Sequence, residues 1–126
     1  MEFTLSAKTS EYAAKLQAFM DKEVFPAEAV YEHQRAELKA AGKPHGLPAV
    51  VEELKVKARA QGLWNLFLPH SHDPHHGLSV TEYATLAEIT GWSPEIAPEA
   101  INCAAPDTGN MELLDMFATD EQKKMW

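Results

Sequence analysis

The chain predicts an all-α domain, orthogonal or bundle-like, of roughly five or six helices. Three observations carry that reading. Apolar residues recur at helical spacing through most of the sequence. The breaks between these runs are made by Pro, Gly and capping residues. The one apolar run that could be a strand, Leu63 to Pro69, reads equally well as a buried loop between helices, so no convincing sheet emerges.

In order, Tyr12, Leu16, Phe19 and Met20 fall on one side of a helix over about Thr9 to Val24. Pro26 interrupts it, as a bend or as an early residue of the next helix. Ala27 to Ala41 is rich in Glu, Ala, Lys and Arg, all good helix formers, and Gly42 stands where a left-handed C-cap belongs. Its strong apolar positions are Val30, Tyr31 and Leu38, so most of its circumference should be wet. A further helix runs from about Pro48 to Gly62, with Val51, Leu54 and Ala58 inside and Glu52, Lys55 and Arg59 outside. Ser79 and Glu82 have capping-box spacing, and Val80, Tyr83, Ala84 and Ala87 give the next helix one face. Gly91 ends it. Ser93 before Pro94 predicts an N-cap and a short helix to about Cys103.

The last stretch, Asn102 to Trp126, organises the rest. Ala104, Ala105 and Pro106 break the preceding helix, and Asp107, Thr108 and Gly109 supply turn and cap chemistry. Met111, Leu113, Leu114, Met116 and Phe117 then make a helix apolar over most of its circumference, which predicts burial. Thr119 and Gln122 have capping-box spacing. This final helix receives barely two turns before Trp126. The expectation is a segment of a larger protein.

The 126 residues suit one domain with a real core, and apolar residues make up 45% of them. No apolar run is long enough to span a bilayer, and MEFTLSAKTSEY shows no secretory h-region. One cysteine excludes an internal disulfide and suits a reducing compartment, so a cytoplasmic setting is expected. The net charge of −8, with 19 acids against 11 scattered bases, argues against nucleic acid and anionic membranes.

Three features of the residues bear on chemistry. His70, His72, Asp73, His75 and His76 carry metal-ligating groups, but a Pro-containing loop offers no rigid frame, and a solvated polar loop is the favoured reading over a metal site. Cys103, among Ile101, Ala104 and Ala105 near a helix C-terminal end, should be a neutral structural thiol. The carboxylates Glu52, Glu53, Glu82, Glu88, Asp107 and Asp115 read as solvated faces or caps, with Asp107 in a turn or cap role. No residue is assigned as catalytic.

Three segments, in order and spacing, resemble one family. They are GLWNLFLP (Gly62 to Pro69), LSVTEYATLAEITGWS (Leu78 to Ser93) and GNMELLDMFATDEQKKMW (Gly109 to Trp126). Together they resemble the N-terminal helical domain of acyl-CoA dehydrogenases, in a branch with NLFLP and NCxAPDTGNME motifs. In that family a T-x-E-Q-K helix leads into a β-sheet domain. The resemblance covers nearly all of this chain but about the first third of the family's chain. It implies residues 1–126 are a single N-terminal helical domain, cut before a β domain and a C-terminal helical domain.

The resemblance further implies a flavin-dependent oxidoreductase of fatty acid metabolism, with FAD, an acyl-CoA substrate and an electron-acceptor protein in the full protein. The catalytic carboxylate and the flavin site would lie in the missing domains. Carried over, Asn110, Met111 and Leu114 would line the acyl-chain pocket; plain core packing is an equally good reading of them. An alternative class is a stand-alone, non-catalytic interaction subunit completing a separate flavoprotein chain. A fragment should leave an apolar face open, with Phe117, Met125, Trp126 and Leu63 to Leu68 as candidates, and such a face could support a homo-oligomer.

Overall fold

The computed structural model describes residues 4–68 and 78–125, and among these it is all-helical. The helices are α1 (Ala7–Phe19), α2 (Phe25–Ala40), α3 (Ala49–Ala60), α4 (Val80–Thr90), α5 (Ala97–Ala100), α6 (Asp107–Phe117) and α7 (Asp120–Met125). A π-helical turn, Met20–Val24, joins α1 to α2 without a break, so the first two form one long rod and the described residues contain six rods. The predicted helix count is met.

The π turn is the structural answer to Pro26. Proline has no N–H to donate and its ring presses on the carbonyl one turn back. The wider turn places Phe25 N–H on the Met20 carbonyl, and Pro26 then sits in the first turn of α2, where a missing donor costs nothing. At the far end Gly42 adopts φ +76°, as its C-cap position predicts. Only Ala27 and Tyr31 of α2 are buried, and Val30 is exposed, so this helix is mostly wet.

Helix α3 starts after Pro48 and ends before Gly62 at φ +69°. Val50, Val51, Leu54 and Ala58 are buried. Lys55, expected outside, is half-buried. It bridges α3 to α5 by pairing with Glu99 at 2.7 Å and Glu52 at 3.1 Å. Residues 63–68 form a turn-rich buried loop, resolving the strand-or-loop ambiguity. Leu63, Leu66, Phe67 and Leu68 are buried, which removes this stretch from the candidate open face. A polar clamp on one neighbour and left-handed Asn65 keep it from extending into a strand.

Helix α4 carries the predicted capping box. Glu82 N–H donates to Ser79 Oγ, and Ser79 N–H donates to the Glu82 carboxylate at 2.9 Å. The same carboxylate accepts from Ser6 Oγ at 2.7 Å, and Ser6 is the N-cap of α1. One carboxylate thus joins two helix starts, and α1 packs chiefly on α4. The predicted face of α4 is corrected. Leu86 and Thr90 are buried, with Tyr83 and Ile89 packed beside them, whereas Val80, Ala84 and Ala87 are exposed. Both lines fit a helical period and share Tyr83; the position of α1 selects the one turned inward.

Ser93 is also corrected. Its hydroxyl caps nothing; it is buried and donates to Glu28 Oε1 at 2.9 Å. A turn follows, held by Ile96 and Ala97 N–H on the Ser93 carbonyl, and α5 begins only at Ala97 with Pro98 in its first turn. The core gathers Leu16, Phe19, Met20 and Val24 from the first rod against α3, Leu63, Leu66, Leu78, Leu86 and the α5 region, where Ile96, Ala97, Ala100 and Ile101 are buried.

Candidate functional site

Helix α6 departs from the body at the turn 101–106. Its apolar circumference predicts burial, yet none of its residues is buried. Leu113, Met116 and Phe117 are 61%, 66% and 75% exposed. Among the described residues its main helix neighbour is the six-residue α7, too short to cover it. The two are tied by Lys123, whose ammonium donates to the Asp115 carbonyl and lies 3.9 Å from its carboxylate. Thr119 and Gln122 form the predicted box, with Thr119 N–H on Gln122 Oε1 at 2.9 Å and Gln122 N–H on Thr119 Oγ1 at 3.3 Å.

Asn110, Met111 and Leu114 stand on one side of this helix. With Asp107 and Leu113 they line an open hollow of about 410 Å³. Asn110 is exposed and the other two are half-buried. The structure therefore brings the three predicted residues together on one apolar surface. Asp107 lies in the first turn of α6, where its charge suits the helix dipole; its side chain makes no capping bond.

The turn that carries α6 is pinned twice. Cys103 and Tyr83 both pack against the core, and burial pushes the thiol and the phenol up from their ordinary values. The thiol is thus neutral and packed, as its apolar neighbours predict. Beside it, Asn65 and Asn102 both hold φ of +58°, and Asn102 Nδ2 donates to Asn65 Oδ1. Asn65 N–H also donates to the Ile101 carbonyl at 3.2 Å. These are the leading residues of the NLFLP and NCAAPDTGNME segments, so the two segments meet at their asparagines. Neither asparagine is singled out by sequence pattern; the available signal is that Asn tolerates a left-handed backbone better than other side chains with a Cβ.

The remaining candidates separate cleanly. Glu82 is held down to about 2, first by the Ser6 hydroxyl and then by Ser79, which makes it a cap and not a base. Glu52 and Asp115 are engaged with Lys55 and Lys123. Glu53 and Glu88 are exposed. The histidine loop, His70 to His76, lies outside the described residues, as does Trp126. Among the described residues no three His, Cys, Asp or Glu side chains are grouped to hold a metal ion, and no helix is long and apolar enough to cross a membrane.

No family model matches the chain. Individual proteins do. FadE2 of Mycobacterium tuberculosis, named a probable acyl-CoA dehydrogenase, is 54% identical over 127 residues, covering all of this chain and 30% of that protein. Acyl-CoA dehydrogenase family member 11 of Mus musculus is 43% identical over 124 residues, covering 98% of this chain and 15% of that protein. A solved structure of a candidate acyl-CoA dehydrogenase from Mycobacterium abscessus superposes with a TM-score of 0.79 at 44% identity, over 98% of this chain and 31% of that one. The chain is therefore homologous, in sequence and in fold, to acyl-CoA dehydrogenases. It spans under a third of the length of these relatives.

Proposed function

We propose that the chain is the N-terminal helical domain of a flavin-dependent acyl-CoA dehydrogenase, an enzyme that forms an α,β double bond in an acyl-CoA. In this reading a β domain and a second helical domain complete the protein, which works in the cytoplasm and passes electrons to an acceptor protein. The observation that carries the reading is the open apolar hollow on α6, on a helix with no buried residue, in a chain homologous to these dehydrogenases. Asn110, Met111 and Leu114 form one wall of the acyl-chain pocket, and the rest of the domain is its scaffold.

Among the described residues, the start of α6 and the paired lysines offer no cradle for a flavin's phosphates. Asp107 puts negative charge at the start of α6, and Pro106 before it has no N–H to offer a phosphate. Lys55, Lys57 and Lys123 are taken by Glu99, Glu23 and Asp115. In this reading FAD and the group that removes the substrate proton are supplied by other parts of the polypeptide.

The test is isolation of the native protein with an antibody to this segment. The expected product is several times heavier than 14.0 kDa, is yellow, and loses its flavin absorbance when acyl-CoA is added. A colourless product, or one indifferent to acyl-CoA of every chain length, would overturn the reading.

A further inference from the structure

We infer that Asn65 and Asn102 are positioning residues that set where α6 stands, and through it how long an acyl chain the pocket accepts. The inference rests on the pocket reading of α6 given above. Its physical basis is separate. A helix that packs into a core is located by many contacts, and no single residue outside it controls its place. Helix α6 is different, because none of its residues is buried and its main helix neighbour is the short α7. Within this domain, among the described residues, its attitude to the body is therefore set chiefly by the turn from which it springs.

That turn is held from three directions. Cys103 N–H donates to the Pro98 carbonyl at 2.8 Å, binding it to α5. Half-buried Cys103 packs against the core, as does Tyr83 of α4. Asn102 meets Asn65, which also takes hold of Ile101 through its own N–H at 3.2 Å. Asn65 belongs to a loop whose neighbours Leu63 and Leu66 are fully buried, so it is the fixed side of the clasp. Both asparagines carry left-handed backbones at φ +58°. Such conformations persist where the surroundings over-determine them, and they cluster where geometry matters to function. Here two of them face each other, eight residues before Asn110 and one loop away from the core. Beyond the clasp, Thr108 N–H on the Ala104 carbonyl at 3.2 Å and Asn110 N–H on the Pro106 carbonyl at 3.4 Å tie the turn to the first turn of α6. A change at the clasp is therefore passed to Met111 and Leu114 by a stiff connector.

The chemistry of the clasp supplies its own control. Asn65→Asp still accepts from Asn102. Asn102→Asp still pairs once the Asn65 amide turns to donate. Asp also tolerates the left-handed backbone. The double variant sets two carboxylates against each other and breaks the clasp. Asn102→Gly keeps the backbone conformation and removes the amide.

The experiment uses the full-length flavoprotein with each variant. Hydrogen exchange of 107–117 is followed beside the ratio of kcat/KM for long and short acyl-CoA. Expected are exchange in 107–117 faster by roughly five- to tenfold in the double variant and in Asn102→Gly, unchanged exchange in α1 to α4, a shifted chain-length ratio, and near-normal behaviour of both single Asp variants. Unchanged exchange in 107–117, or equal acceleration throughout α1 to α4, would overturn the positioning role. Leu114→Trp separates the two ideas. If it shifts the chain-length ratio while the broken clasp does not, the positioning role falls and the pocket reading stands. If neither shifts it, the pocket reading has failed and takes this inference with it.

Discussion

Glu82 shows how much one side chain can hold. It accepts from Ser6 at 2.7 Å and from the Ser79 N–H at 2.9 Å and hydroxyl at 3.1 Å. These donors favour the charged form, and its carboxyl drops from 4.5 to about 2. A carboxylate depressed in the folded state adds stability that is complete above its unfolded value and is lost as pH falls through its folded value. Denaturant midpoints of the folded protein should therefore fall between about pH 4.5 and pH 2, and Glu82→Gln should flatten that limb. An unchanged acid limb in the variant would show that the cap is not made in solution. At Cys103, burial raises the thiol while the Tyr83 hydroxyl partly opposes this. Alkylation at pH 8 should be slow in buffer and fast in urea, and Tyr83→Phe should not make the folded thiol more reactive through its ionisation.

Among the elements, helix ends were legible and helix faces were less so. An end is decided by residues within one turn, and Ser79 with Glu82, Thr119 with Gln122, Gly42 and Gly62 all behave as local chemistry requires. A face is decided by what lies across from it. Helix α4 offers two apolar lines, and only the position of α1 tells which is inner. Ser93 looks like a cap until Glu28, far away in the chain, is seen to take its hydroxyl. The Asn65–Asn102 clasp is hidden for the same reason. Substitution separates these cases. Gly42→Ala and Gly62→Ala meet no atom within 4 Å, so each should cost about 1 kcal/mol from backbone conformation alone. Thr119→Ala should cost about 1 kcal/mol of local stability, visible as faster exchange in α7. Leu54→Ala should cost about 2–5 kcal/mol and Val56→Ala on the same helix within about 0.5, read from urea midpoints.

At the scale of the whole molecule, Leu113, Met116, Phe117 and Met125 gather on α6 and α7 with each more than half exposed. Such a face asks for a cover. The 126-residue segment expressed by itself should self-associate, and Met116→Lys with Phe117→Lys should reduce its apparent mass in light scattering. A monodisperse, unmutated monomer at high concentration would show that the face needs no partner. The fold class was readable because it rests on periodicity and on a resemblance over nearly the whole chain. The openness of α6 was legible at Phe117, named with Met125 for an open face, but not along the whole helix, since an apolar helix looks the same in sequence whether its cover is supplied nearby or from elsewhere.

The π turn before Pro26 has a consequence for how this domain can change over generations. A helix of 3.6 residues per turn rotates by about 100° for each residue inserted or removed. Upstream of the turn the rod lies on α4; downstream it lies on α3. The wide turn takes up one surplus residue, and that residue sets the angle between the two halves. Removing Lys22 and replacing Pro26 with Ala would yield a regular helix by every local rule. Because the wide turn had absorbed the extra residue, the regular helix would keep Ala27 and Tyr31 turned toward the core, close to their present phase. The irregular stretch is thus where the rod can change length by one residue, because the wide turn absorbs the difference while the helix on either side keeps its buried face.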